Sequence, residues 1–232
     1  MSRTSGGGFF PGAGRHETDV RAELLTWANL VTAVRLVTGL AAFGKALAGG
    51  PEGWIYAGLA IYWVGDLLDG GLARTLNQET ILGAEFDILS DRIQICVFYL
   101  AYLSFHPDKT LVALVFLFEF MVLDHFLSNQ FVRWPIRSPN YFYEVDRPTW
   151  WWLWSRPAKA LNTGLVTLLT VGIESIWPPL AVATALTLVR VYFASRVLVL
   201  SAAPRAAARI PLPAALEHRS NRAVHPEPTI AA

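Results

Sequence analysis

Asp66, Asp69, Asp87 and Asp91 stand in a fixed frame: Asp66-x-x-Asp69-Gly70-x-x-Ala73-Arg74, eight residues, then Gly83-x-x-x-Asp87-x-x-x-Asp91. On a helix, positions i, i+3 and i+7 share a face, as do i, i+4 and i+8. Asp66, Asp69 and Ala73 therefore line one face of one expected helix, and Gly83, Asp87 and Asp91 one face of the next. Two helices present carboxylates to each other. Oxygen ligands of this kind suit hard divalent cations such as Mg²⁺, Mn²⁺ or Ca²⁺ better than zinc, which prefers His and Cys.

The flanks make these carboxylates costly, because residues 54–64 and 93–103 are almost wholly apolar. A charge deep in a bilayer costs roughly 2.5–3.5 kcal/mol on insertion scales, so a set of unpaired aspartates costs on the order of 10 kcal/mol. Arg74 and Arg92 are too few to neutralise the set, which is a second reason to expect cations.

The elements that must position this frame are membrane spans. The 232 residues are 53% hydrophobic and only 16% charged, the composition of a polytopic membrane protein. Apolar stretches fall at about residues 28–47, 54–72, 84–105, 111–131, 161–176 and 180–200. Several approach the ~20 residues needed to cross a ~30 Å hydrocarbon core. The expected fold is all-α: a six-helix domain over 27–202, between an N-terminal segment at 1–26 and a disordered tail at 203–232. Residues 17–26 form either a short amphipathic surface helix or a solvated connector. Residues 1–26 lack an apolar core long enough for a cleavable signal, so the first helix is expected to be retained.

Arg3, Arg15 and Arg21 precede the first span, and Arg74 ends the second. Arg133, Arg137, Arg147, Arg156 and Lys159 lie between the fourth and fifth, and Arg205, Arg209, Arg219 and Arg222 follow the sixth. The opposite loops hold Lys45 and Lys109. By the positive-inside rule both termini are cytoplasmic and the aspartate frame lies near the cytoplasmic face. Trp150, Trp151, Trp152 and Trp154 read as an interfacial aromatic belt beside Arg147 and Arg156. Cys96, the single cysteine, falls in a span and reads as packing. The chain has no Rossmann or P-loop glycine pattern, so a nucleotide must be held some other way, and no nucleic-acid partner is expected.

The frame resembles the signature of the CDP-alcohol phosphotransferases, D-x-x-D-G-x-x-A-R-x(8)-G-x-x-x-D-x-x-x-D, with every fixed position present. The resemblance extends to Asn29-x-x-Thr32-x-x-Arg35 in the first span, to the six-span layout, and to Lys159 with Thr163 at the start of the fifth, covering roughly residues 27–200. It implies transfer of a phosphoalcohol from a CDP-alcohol to a hydroxyl, release of CMP, two divalent cations (Mg²⁺ or Mn²⁺) and a homodimer. It also implies the roles. Asp66, Asp69, Asp87 and Asp91 would hold the metals, with Asp91 also the general base. Asn29, Thr32, Asp69, Gly70, Ala73, Arg74 and Gly83 would surround the CDP moiety. Asn29 and Thr32 also fit helix capping and interhelical hydrogen bonding.

A phosphorylated acceptor needs cations opposite the metals. Lys159 is the first candidate, with Arg137, Arg156 and Arg190 behind it. Positive-inside anchoring competes for the loop arginines, and pairing with Asp124 or Glu119 competes for Arg190. Asp124 and His125 are placed near the cytoplasmic end of the fourth span, where solvation makes them cheap, and are not read as metal ligands. The chain departs from phosphatidylglycerophosphate synthases at Asp87-Ile88-Leu89-Ser90-Asp91 and at Ala158-Lys159, while Leu76-Asn77-Gln78 is reminiscent of them.

The expected protein is thus an integral enzyme of a bacterial plasma membrane that moves a phosphatidyl group from CDP-diacylglycerol to a small polar alcohol. Glycerol 3-phosphate is the favoured acceptor; inositol phosphate, serine and a second phospholipid compete. A cation- or proton-coupled transporter, which would continue its polar path onto other spans, and a non-catalytic scaffold are the readings from other classes.

Overall fold

The computed structural model describes residues 23–202. The tails, most of the 17–26 stretch and the arginines before residue 23 and after residue 202 lie outside the described residues. Residues 23–197 fall in one compact unit; residues 198–202, grouped with a second, are helical. Among the described residues there are helices and no strand. We number the longer ones α1 (Trp27–Leu47), α2 (Gly53–Thr75), α3 (Ile81–Phe105), α4 (Pro107–Arg133), α5 (Arg147–Leu153), α6 (156–172) and α7 (Trp177–Ala202). A short 3₁₀ helix, Pro139–Glu144, stands between α4 and α5.

Four of these, α1, α3, α4 and α7, are long and apolar enough to cross a membrane. The other two expected spans fall short for visible reasons. Asp66, Asp69 and Arg74 lower the hydropathy of α2, and α6 is short.

Local chemistry sets the helix ends. Thr26 and Thr80 are N-caps whose hydroxyls accept the backbone N–H groups of Asn29 and Gly83 at 3.1 and 2.9 Å. Gly49, at φ +89°, allows the turn from α1 back into α2. α2 ends on Asn77 in the left-handed region at φ 53°, with the Gln78 N–H returning to the Ala73 carbonyl at 2.8 Å. Gln78 then accepts the Trp27 N–H at 3.0 Å, tying the start of α1 to the end of α2.

α1 and α2 pack along each other more extensively than any other pair, and α3 joins them. Small residues permit the approach: a side chain at Gly58 would strike the Phe43 ring, and one at Gly65 would strike the stem of Arg35. Phe43, Ile55, Phe98, Tyr99, Tyr102 and Phe116 form the main core. Leu127, Phe131, Phe142, Trp154 and Phe193 form a second one beneath the 3₁₀ turn and α5. Leu67, Leu100, Leu114 and Leu188 point outward, as on helices that face lipid.

Candidate active site

The turn between α2 and α3 brings the two halves of the aspartate frame together. Oxygens of Asp66, Asp69 and Asp87 lie within 4.8 Å of one another, the spacing of a cation cage of carboxylates. Asp91 stands outside this trio. Asp69 is buried, while Asp66 and Asp87 remain open.

The centre of the cluster is a residue that sequence reasoning placed only in the first-span pattern. The Arg35 guanidinium, its side chain 1% exposed, meets all four aspartates: Nη1 with Asp91 Oδ1 at 3.0 Å and Asp66 Oδ1 at 3.4 Å, Nη2 with Asp87 Oδ1 at 2.9 Å, and Nε near Asp69 Oδ2 at 3.4 Å. The expectation that Arg74 and Arg92 were the arginines at hand is therefore corrected. Arg74 is exposed at the pocket edge and Arg92 turns to Asp124, whereas Arg35 supplies the buried positive charge. Its position is supported from behind, because Gln94 Nε2 donates to the Arg35 carbonyl at 3.1 Å and the stem lies on Gly65.

Thr32 shares the cluster. Its hydroxyl stands 2.8 Å from Asp69 Oδ2 and 3.1 Å from the Ala28 carbonyl, and the Gly70 N–H donates to Asp69 Oδ1 at 2.6 Å. Asn29 acts on its own surroundings, donating to the Glu23 and Leu24 carbonyls at 3.1 and 2.9 Å. A Cβ at Gly83 would stand 2.9 Å from Asn29 Oδ1 and 2.8 Å from Thr80 Oγ1, so glycine there lets the start of α3 close on α1.

A pocket opens beside the cluster. Asn29, Thr32, Asp69, Gly70, Ala73, Arg74, Gly83 and Asp87 line it, bringing together every residue expected around the CDP moiety. A Cβ at Gly70 would come 3.3 Å from Arg74 Nη1, so the bare backbone keeps the guanidinium's approach open. Gln78, Glu79, Thr80, Ser138 and Asn140, with Ala28 and Ala84, complete the wall. None of these was read from the sequence as a site residue. Glu79 accepts the Tyr141 hydroxyl, which pushes the Tyr141 phenol above its usual value.

The expected acceptor cations fall in different places. Lys159 Nζ donates to Asn140 Oδ1 at 2.6 Å, at the pocket wall. Arg137 and Arg156 are exposed. Arg190 is buried and pairs with both Glu119 and Asp124, and Arg92 also pairs with Asp124. The solvated position expected for Asp124 is thus corrected: it is 8% exposed, and Glu119 is fully buried. The cause is the π-helical turn Glu119–Asp124, whose i to i+5 winding puts its two acidic ends on one side.

The tryptophans also divide. Trp151 and Trp152 are exposed, while Trp154 packs on Phe142 with ring centroids 4.7 Å apart and Trp150 Nε1 donates to the Asn140 carbonyl at 2.8 Å.

Residues 25–137 match the family model described as CDP-alcohol phosphatidyltransferase. No curated protein and no solved structure matches the chain.

Proposed function

We infer, from a domain at residues 25–137 that belongs to the CDP-alcohol phosphatidyltransferase family, a family of transferases, that this integral membrane protein moves a phosphatidyl group from CDP-diacylglycerol to a small polar alcohol. The observation that carries the reading is the convergence of Asp66, Asp69 and Asp87 within 4.8 Å beside a pocket walled by Gly70, Ala73 and Arg74. Carboxylate oxygens at that spacing fit Mg²⁺ or Mn²⁺. Such cations, when bound, offset the diphosphate charge and polarise the phosphorus–oxygen bond to the CMP leaving group.

The chain's own residues supply the rest. Arg74 at the pocket edge meets nucleotide phosphate or ribose oxygens. Asp91 stands outside the trio, with Arg35 on Oδ1, so Oδ2 is left to take the acceptor's proton. The acceptor oxygen bonds to the β-phosphorus, the bond from that phosphorus to the CMP oxygen breaks, and CMP leaves with the electron pair. Lys159 is the acceptor-side cation best placed for a phosphorylated alcohol, since Arg190 is already paired with Glu119 and Asp124.

Six spans, with α2 and α6 completing the four most apolar helices, put the pocket at the cytoplasmic face. The acyl chains of the donor then stay in the bilayer while its headgroup enters. A homodimer is the assembly expected of the family. The mutual pairing of Arg190, Glu119, Asp124 and Arg92 closes those groups on themselves and does not favour a transport path.

The test is CMP release by the purified protein with CDP-diacylglycerol and Mg²⁺, across glycerol 3-phosphate, inositol 1-phosphate, inositol, serine and phosphatidylglycerol. Release with one acceptor, lost in excess chelator and restored by Mg²⁺ or Mn²⁺, supports the reading. Release that persists in excess chelator removes the metal mechanism.

A further inference from the structure

We propose that Ser138 and Asn140, from the segment between α4 and α5, recognise the nucleotide of the donor and favour cytosine over uracil. This rests on the transferase reading and adds a specificity element to it. Both residues line the pocket that also contains Asp69, Gly70, Arg74 and Gly83. Both lie beyond residue 137, where the family match ends.

Ser138 is 7% exposed, and its hydroxyl has no hydrogen-bond partner. A buried hydroxyl without a partner is destabilising, so its presence in a pocket wall points to a ligand atom that completes it. Asn140 is fixed in a defined orientation. Lys159 Nζ sits 2.6 Å from its Oδ1, and an ammonium only donates, so the carboxamide oxygen faces the lysine and the amino group is left for the pocket. The backbone is tied as well: Trp150 donates to the Asn140 carbonyl at 2.8 Å, and Tyr141 donates to Glu79. The segment is therefore anchored to α5, to α6 and to the turn between α2 and α3.

The chemistry selects the base. Cytosine presents O2 and N3 as adjacent acceptors, which an amino group and a hydroxyl both satisfy. Uracil carries N–H at N3 and sets a donor against the Asn140 amino group. Because Lys159 holds Asn140 Oδ1, the carboxamide cannot turn over to accept from uracil without giving up that bond.

The experiment is calorimetric binding of CMP and UMP to the full-length protein in detergent with Mg²⁺, for wild type, Ser138→Ala and Asn140→Ala, with a thermal unfolding curve for each. Wild type binds CMP more tightly than UMP. Each variant binds CMP about fivefold more weakly, the worth of one net hydrogen bond, and Asn140→Ala narrows the preference over UMP. Ser138→Ala, which removes an unpartnered group, unfolds no earlier than wild type. Unchanged CMP affinity in both variants overturns the proposal and leaves the transferase reading intact, as does a Ser138→Ala variant that loses stability but not affinity. Failure of wild type to bind CMP at all overturns both.

Discussion

Arg35 Nη1 stands 3.0 Å from Asp91 Oδ1, joining the middle of the first helix to the last aspartate of the frame. The same guanidinium reaches Asp87 through Nη2 at 2.9 Å, so one buried cation orients both aspartates of α3. The guanidinium thus ties Asp91 to the trio of Asp66, Asp69 and Asp87, whose oxygens alone lie within 4.8 Å of one another, a division that spacing along the chain does not show.

Asp91→Asn should keep the hydrogen bond from Arg35, through the amide oxygen, and lose the ability to take a proton. Turnover is expected to fall by about 10²–10⁴-fold, the usual worth of a general base, while CMP binding in the presence of Mg²⁺ changes little. The comparison is CMP release against calorimetric CMP affinity. Release at the wild-type rate would remove Asp91 from the base role.

Arg35→Gln takes the positive charge from the centre of the cluster. Removing one partner from a buried ion pair costs about 3–5 kcal/mol, and here several carboxylates lose theirs together. The variant should unfold well below wild type without metal and gain more than wild type does from added Mg²⁺, because cations then take over the counter-charge. Thermal unfolding in detergent with and without Mg²⁺ reads both effects. Equal metal-induced shifts in the two proteins would mean that Arg35 is not the counter-ion of the metal-free site.

The positions of the four most apolar helices and the meeting of the two aspartate sets were legible from apolar runs and helical spacing, because both depend on local periodicity. Arg35 carried a readable signal too. It is an ionisable residue within an apolar first span, and the rule that such residues are functional by default was applied to Arg190 but not to it. Its contact with four aspartates depends on how α1 rotates against α2 and α3, which Gly65 and Gln94 decide at distances of 30 and 59 residues along the chain. The pairing of Arg190 with Glu119 and Asp124 was among the readings the sequence allowed, whereas the depth of Asp124 was misjudged from its place near the end of the fourth apolar run, because Arg190 and Arg92 draw it inside. Ser138 and Asn140 were invisible for a further reason: residues 134–146 have no hydrophobic period, and their place over the pocket is set by the distant partners Glu79, Trp150 and Lys159.

Arg190 is where a structural and a functional role can be told apart. Arg190→Met leaves Glu119 buried without its cation, and the loss should approach about 3–5 kcal/mol. Restoring balance with Glu119→Gln in the same chain should recover much of it. If the pairing is Arg190's role, the double variant keeps the KM for a phosphorylated acceptor near wild type. A KM that rises sharply in the double variant despite recovered stability would return Arg190 to the acceptor pocket. Lys159→Ala tests the acceptor role from the other side: it is expected to raise that KM more than the KM for CDP-diacylglycerol, while the release of Asn140 shows separately as a smaller preference for CMP over UMP.

Asp146 couples pH to the wall of the pocket. It is the N-cap of α5, accepts from the Thr149 N–H at 3.1 Å, and receives Arg196 in a two-point contact at 2.8 and 2.9 Å. The Arg196 hydrogen bonds, helped by those from Thr149, hold its carboxyl below the usual carboxylate value. With the folded value below the unfolded one, this stabilisation is fully present above about pH 5 and is lost as pH falls through the depressed value. Asp146→Asn should therefore lower the unfolding temperature slightly at neutral pH, since the exposed Arg196 contact is screened by solvent, and should flatten the fall in unfolding temperature as pH drops below about 5. Because α5 carries Trp150, which holds the Asn140 carbonyl, the variant should also weaken CMP binding at neutral pH. Unfolding curves across pH, together with CMP titrations, check both expectations. An acid transition as steep as that of wild type would show that Asp146 is not the group being titrated.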